Sequence, residues 1–354
     1  MADPDTLLTV QPLLSTVLTP CHPNSSIKDN LLSSRPMTII GSLILSLALA
    51  VGLPGNAFVV WTILYRMRRQ RRTVTCVLIL NLAVADGVTL LTTPFWIHFL
   101  VVEDWVFGRG LCKAFHYACC LNMYASVFLI AFMSVDRLAA VARPYTAARL
   151  RRKALAVRVL VGLWTLAALM ALPAPIYREV HIGGVRCRDV CEPVHRNLAD
   201  TVFHYVAETA VGFLVPYAVI VASYMVVSHR MRSLRTQRKN QIERLIVAIV
   251  VAFGLFWLPY HAINLAQVGA KVAGDTDLRN WLKEKRPIVT ALAFIGSSVN
   301  PVLYAFTGLE LIRSAGPNFM AKLFEVTTVD GTASQSKSRP GTSGVNAADI
   351  HTGL

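Results

Sequence analysis

Seven apolar stretches constrain this chain more than anything else in it: Met37–Tyr65, Val74–Val101, Gly110–Ala142, Ala154–Ile176, Thr201–Val227, Leu245–Val272 and Pro287–Thr307. Each is long enough to cross hydrocarbon about 30 Å thick at about 1.5 Å per residue. Lipid offers no partner to a backbone N–H or C=O, so stretches of this length satisfy themselves as helices. By length alone, 354 residues could make two or three soluble domains. With 54% hydrophobic and 16% charged residues segregated in this way, the expected fold is instead one all-α membrane protein, a seven-transmembrane helix bundle. The expected organisation is an amino-terminal segment 1–36, the bundle 37–307, a short amphipathic membrane-surface helix within 308–325 and a disordered tail 326–354. In the surface helix Leu311, Ile312, Phe319, Leu323 and Phe324 make the apolar face. The tail is rich in Ser, Thr, Gly, Pro and Lys and nearly devoid of apolar residues.

Arg66, Arg68, Arg69, Arg71 and Arg72 follow the first stretch, Arg149 to Lys153 the third, and Arg230, Arg232, Arg235, Arg238 and Lys239 the fifth. The positive-inside rule puts those loops in the cytoplasm, the amino terminus outside and the carboxyl terminus inside a plasma-membrane protein. The net charge of +15 is thereby explained by topology and anionic headgroups, leaving no need for nucleic acid as a partner. The amino-terminal residues lack the signature of a removable signal peptide, so the first span is expected to act as an uncleaved anchor. Asn24-Ser25-Ser26 fits a glycosylation acceptor on the outer side. Of the seven cysteines, Cys112 opens the third span and Cys187 and Cys191 lie in the loop after the fourth, so Cys112 is expected to bridge one or the other. No zinc-ligand spacing, phosphate-binding glycine loop or nucleophile elbow is present, so no catalytic residues, no enzyme activity and no organic cofactor are expected.

Polar residues inside the spans carry the rest, because hydrocarbon makes each of them costly. Asp86 stands mid-span, with Asn56, Ser126, Ser297 and Asn300 at comparable depth. A locally satisfied aspartate tying helices together is one reading, and a hydrated cation such as sodium held by Asp86, Ser126, Ser297 and Asn300 is the other. In Asn300-Pro301-Val302-Leu303-Tyr304, proline removes a backbone donor while Asn300 and Tyr304, four residues apart, face one side of a bent helix. Asp136-Arg137 ends the third span, and Trp257-Leu258-Pro259 sets an aromatic beside a kink in the sixth.

Taken in order, the chain resembles the rhodopsin-like (class A) G-protein-coupled receptors. The resemblance runs through Gly55-Asn56, Asp86, Trp105-Val106-Phe107-Gly108 before Cys112, Asp136-Arg137, Trp164, Pro216 with Tyr224, Phe253 with Phe256-Trp257-Leu258-Pro259, and Asn300 to Tyr304. It covers about residues 37 to 325. Leu138 departs from it where tyrosine is usual, and Phe256 where cysteine is common. The resemblance implies a ligand-biased two-state bundle in which Asp136, Arg137, Phe253, Trp257, Pro259, Asn300, Pro301 and Tyr304 form the activation switch. Arg137 would meet a heterotrimeric G protein, with an inhibitory-type α subunit expected. It also implies Cys191 as the partner of Cys112, with Cys187 the alternative. Receptor kinases and arrestin would act on Thr327, Thr328, Thr332, Ser334, Ser336, Ser338, Thr342 and Ser343 of the tail.

Within that family, Ala50 to Asn56, Met123 to Val127, Trp257 to His261 and Leu311 to Gly316 resemble the receptors for leukotriene B4, a chemoattractant lipid mediator. The last two runs lie nearer their type 1 branch. The implied ligand, leukotriene B4 or a related hydroxy-fatty acid, has one carboxylate, two hydroxyls and a conjugated chain. Candidate ligand-binding residues in the outer half are His116, Tyr124, Arg178, Glu208, Tyr260, Asn264 and Arg286, with the arginines for the carboxylate and the others for hydroxyls. The competing readings are that Arg178 and Arg286 mark the membrane boundary and that Tyr124 is packing. A formyl-peptide or chemokine receptor is the alternative within the fold, although no cysteine lies between Val272 and Pro287 for a second bridge. A seven-helix ion transporter is the alternative outside it.

Overall fold

The computed structural model describes residues 31–67, 74–142, 153–183, 188–232 and 237–307. The expectations for Asn24, Cys187, the 308–325 helix and the tail phosphorylation sites lie outside the described residues. Ten helices and one hairpin follow in order among the described residues. They are α1 (Leu31–Trp61, running on into a π turn, Thr62–Arg66), α2 (Val74–Leu91), α3 (Thr93–Val102), α4 (Gly108–Ala142), α5 (Lys153–Met170) and α6 (Pro173–Tyr177). Strands β1 (Arg178–Gly183) and β2 (Arg188–Pro193) come next. The chain continues as α7 (Leu198–Thr209), a π turn (Ala210–Leu214), α8 (Val215–Arg232), α9 (Gln237–Val272) and α10 (Thr276–Thr307).

Paired as α2 with α3, α5 with α6 and α7 with α8, these make a seven-helix bundle. Six of its seven members are long and apolar enough to cross a membrane by length and composition among the described residues. The other, α9, packs along α7 and α10. The breaks follow from proline. Pro94 cannot donate to the carbonyl one turn back, so the second span turns at Thr92, whose N–H bonds the Thr89 carbonyl at 3.0 Å. Pro173 and Pro175 likewise set α6 off from α5. Several boundaries differ from the hydropathy reading, among them the start of α9, at Gln237 rather than Leu245, and the end of α8, at Arg232 rather than Val227. Helix α1 starts at Leu31 rather than Met37, and α10 starts at Thr276 rather than Pro287. Proline suits the first turn of a helix, which made Pro287 look like a start. In the structure the helix continues back from it for three amphipathic turns, which bury Leu282.

The interior is packed in layers. Leu78, Leu82, Val127, Leu129, Ile130, Phe213, Ile220, Val250 and Phe253 form one buried cluster with Trp257 against it. Leu45, Ala48, Leu90, Ala291 and Phe294 form another between α1, α2 and α10. Leu43, Leu47, Val161, Val215 and Leu255 face outward, as lipid-facing residues must. Helices α1 and α10 meet closely at Gly55, where a Cβ would stand 2.8 Å from Pro301. Asn56 fastens that contact by donating to the carbonyls of Gly52 at 2.9 Å and Ser297 at 3.0 Å. Asn56 is thus committed to backbone rather than to Asp86.

A cap closes one end of the bundle. Cys112 at the start of α4 is bonded to Cys191 on β2, with Cα atoms 5.9 Å apart. Trp105 is almost wholly buried beside this bridge among Phe95, Trp96, Phe99, Phe107 and Phe115. Its backbone N–H bonds Asp189 and its indole N–H bonds the carbonyl of Gly108. Gly108 has φ +78°, a conformation that a side chain would strain. Glu179 on β1 ties the hairpin to α4 through Arg109 and Lys113, both at 2.8 Å. The hydrogen bond from Lys113, with Arg109 beside it, holds the Glu179 carboxyl below the usual carboxylate range.

Candidate functional site

Beneath the hairpin the helices enclose a cavity of about 620 Å³. Its walls are largely apolar, from Trp96, Phe99, Leu100, Met123, Trp257 and Phe294. Its charges are one-sided: Arg178, Lys271, Arg279, Lys283 and Arg286 line it against the single carboxylate of Glu192. A mostly apolar chamber with a cationic mouth selects an amphipathic anion.

Four candidate residues, His116, Arg178, Tyr260 and Arg286, line this cavity. Arg178 is the first residue of β1 rather than the last of a helix. Its guanidinium stacks over Trp96 at 5.7 Å, and its Nε donates to the Cys191 sulfur at 3.4 Å. Arg286 lies over Tyr205 at 5.0 Å and Tyr260 at 5.8 Å, and its Nε makes no hydrogen bond. Both cations are therefore held by ring faces, which leaves N–H groups free for an anion.

Tyr124, Glu208 and Asn264 are buried and are not among the lining residues. Tyr124 packs with Cys120, Met123 and Tyr260, in keeping with the packing reading. Glu208 and Asn264 form a chain behind the wall. Arg286 donates to Asn264 Oδ1, and Asn264 Nδ2 donates to Glu208 Oε1 at 3.0 Å. Glu208 Oε2 meets His204 Nε2 at 3.3 Å, and His204 Nδ1 meets His195 Nε2 at 2.9 Å. Asn264, backed by Glu208, thus holds Arg286, while His195 at the end of the chain itself lines the cavity. Burial, with His204 as the next contribution, pushes the His195 imidazole down to about 4. Sequence reasoning missed His204, although its i, i+4 spacing to Glu208 puts both on one helix face. It also missed Arg279 and Lys283, because the segment before Pro287 read as a loop, and Lys271, one residue from the end of the sixth span.

A second, smaller cavity of about 20 Å³ lies deeper, lined by Asp86, Ser126, Ile130, Phe253, Trp257, Ser297 and Asn300 among others. Asn300 Nδ2 donates to Asp86 Oδ2 at 3.0 Å, and Asn122 Nδ2 to Asp86 Oδ1 at 3.3 Å and to Ser297 Oγ at 3.1 Å. Ser126 donates to Asn122 Oδ1 at 3.1 Å. Asn122 is the member that the sequence reading overlooked. Carboxylate, hydroxyl and amide oxygens in a space of about one small guest form a donor set suited to a hard cation. Trp257 and Ser297 belong to both cavities, so a single side-chain layer separates them.

Trp257 rests on Phe253 at 6.0 Å, which stacks on Phe213 at 6.1 Å, and it meets Gly296 so closely that a Cβ there would lie 3.3 Å from its indole nitrogen. Pro259 lies inside α9 one turn from Phe256, and Pro301 is buried inside α10. At the far end of α4, Asp136 is buried and Arg137 half-buried, while Tyr304 belongs to the last turn of α10. Trp257, which lines the chamber, thus stands at one end of a row of packed aromatics that includes Phe253 and Phe213.

The family model described as "7 transmembrane receptor (rhodopsin family)" matches residues 55–304. The human protein named leukotriene B4 receptor 1 is 45% identical over 315 residues, covering 88% of each chain. Human leukotriene B4 receptor 2 is 41% identical over 304 residues, covering 84% of each. Mouse prostaglandin D2 receptor 2 is 34% identical over 341 residues, covering 92% of this chain and 85% of its own.

Proposed function

Given that the chain belongs to the rhodopsin family of seven-transmembrane receptors, we propose that it is a plasma-membrane receptor for leukotriene B4 or a closely related hydroxy-fatty acid. The single observation that carries this reading is the cavity itself, an apolar chamber with Arg178 and Arg286 in its wall and one carboxylate among its lining residues. A peptide would need acceptors for its many backbone N–H groups, whereas a fatty acid needs one anion site and an apolar path. The names of the relatives agree with that chemistry.

In this reading the hairpin end faces outside and the Arg137 end faces the cytoplasm. The carboxylate meets Arg178 and Arg286 while the chain lies toward Trp257. Occupation biases the Trp257–Phe253 layer, and the sixth helix moves about Pro259. Arg137 then meets the α subunit of a heterotrimeric G protein, of the inhibitory class. Agonist can shift this equilibrium only by the difference in its affinity for the two states. Asp86, Ser126, Ser297 and Asn300 hold a sodium ion in the inactive state. Receptor kinases and arrestin act on the tail.

The test is nucleotide exchange on a panel of purified G proteins with membranes containing the receptor. Leukotriene B4, other eicosanoid acids, formyl peptides and chemokines are compared. Leukotriene B4 is expected to stimulate exchange at the lowest concentration; stimulation by peptides alone would refute the reading.

A further inference from the structure

Helix α10 carries a graded stripe into the chamber. Arg279, Lys283, Arg286 and Thr290 all line the cavity, and their spacing of four, three and four residues keeps them within about 60° of one another around the helix. At about 1.5 Å per residue, Arg279 stands about 10 Å outward of Arg286 with Lys283 between them, so neighbouring side chains overlap in reach. Further in, Ala291 and Phe294 continue the same wall as buried apolar surface. Exposure falls along the stripe: the Lys283 side chain is 56% exposed, Arg286 is half-buried and Ala291 is buried. The acids of this segment, Asp277 and Glu284, are not among the lining residues, and Glu284 pairs with Lys285 at 3.4 Å. On α9, Lys271 donates to Thr201 Oγ1 at 2.6 Å and to the Asn197 carbonyl at 3.1 Å, and Arg279 lies close enough to repel it. Cations early in a helix oppose its macrodipole, so this placement costs α10 stability and calls for a reason other than folding. Bilayer anchoring is not that reason, since an anchoring cation turns to the headgroups and these turn to the cavity. The carboxylate in the mouth, Glu192 on β2, stands 3.9 Å from Lys283 and 3.1 Å from His181. An exposed pair at 3.9 Å is weak, so an arriving carboxylate can replace Glu192 beside Lys283.

We propose that this face of α10 is the ligand's entry site: Arg279 and Lys283 take the carboxylate of the acid from water and pass it inward to Arg286. The proposal rests on the fatty-acid receptor reading above. It means that the acid comes in over the hairpin end of the bundle, carboxylate first met by α10, and not sideways out of the bilayer. Glu192 opposes entry by repelling the same charge. Arg279 and Lys283 therefore set the rate of capture, a role distinct from that of Arg178 and Arg286, which hold the acid once it is bound.

The experiment measures association and dissociation rates of leukotriene B4 and of its uncharged methyl ester on the full-length receptor in phosphatidylcholine nanodiscs, at low and at physiological salt. Wild type is compared with the double variant Arg279→Gln/Lys283→Gln and with Glu192→Gln. Two unit charges acting through water on a carboxylate about 7 Å away predict that the double variant slows acid association about 5-fold at about 10 mM salt and about 2-fold at about 150 mM. Dissociation of the acid and association of the ester should not change. Glu192→Gln should act with the opposite sign, speeding acid association about 2-fold at low salt, and it tests the same claim should the double variant fail to fold. Acid association at the wild-type rate in both variants, equal slowing of acid and ester, or a loss confined to the dissociation rate overturns the entry route and leaves the receptor reading standing. If wild type binds no leukotriene B4, both fall together.

Discussion

Replacing the two arginines singly and together, Arg178→Ala, Arg286→Ala and the double variant, tests where the negative end of the ligand lies. Arg286 commits one N–H to Asn264 and has an unbonded Nε, and Arg178 is committed only to the weak sulfur acceptor of Cys191. Each therefore retains donors for a carboxylate. A charge-assisted hydrogen bond is worth about 1.5–3 kcal/mol, so loss of the decisive arginine should weaken acid binding roughly 10- to 150-fold. Arg286→Ala carries a further cost, because it strips the donor from a buried Asn264 oxygen. Total affinity alone would therefore mislead, and the methyl ester of leukotriene B4 supplies the control, having the same shape and hydroxyls without the charge. Competition binding on membranes gives the acid-to-ester affinity ratio for each variant. The ratio should fall in each single variant and approach one in the double variant. A wild-type ratio in the double variant would refute the assignment and make His116 the next group to test.

Asn264→Leu should lower acid affinity more than ester affinity although Asn264 lies outside the cavity lining, because Arg286 loses its acceptor; equal loss for both ligands would mean that Asn264 only supports the fold. Asp86→Asn keeps shape and removes charge, so agonist affinity measured across a sodium titration should become insensitive to sodium, and a wild-type response would remove the cation from the mechanism. His195 gives a pH dependence of definite sign. An unfolded imidazole titrates near about 6.5, whereas the folded one is held at about 4. Between those values the unfolded chain carries the extra proton, so thermal stability in detergent should fall as pH drops through this window. His195→Gln should flatten that part of the profile, and an unchanged slope would assign it to another group.

The bundle was legible because lipid imposes a rule that sequence cannot evade, and the ordered set of Asn56, Asp86, Trp257 and Asn300 to Tyr304 specified which bundle. Individual roles were less legible. Glu208 and Asn264 were expected to meet hydroxyls, since a polar residue in an apolar helix demands a partner. A single sequence does not reveal that the partner is another helix: Asn264 turns both its amide N–H and its oxygen to protein groups. The cationic mouth was hidden for a different reason. Lys283 stands on a helical extension whose amphipathic period is masked by Pro287, and it lines the cavity only because α10 runs straight back to Thr276.

The π turn at Ala210–Leu214 ends two residues before Pro216, which has no N–H to give to the carbonyl one turn back. Its wider winding accommodates one residue more than an α turn, so side chains beyond it are displaced by about 100° from an uninterrupted α register. The two halves of that rod are consequently phased independently. Tyr205 and Glu208, before the turn, answer to the arginine network, while Tyr217, after it, stacks on Phe253. Deleting one residue from this turn would re-phase one half against the other. Its length is thus a spacing constraint on the whole receptor that no substitution scan of individual side chains would expose.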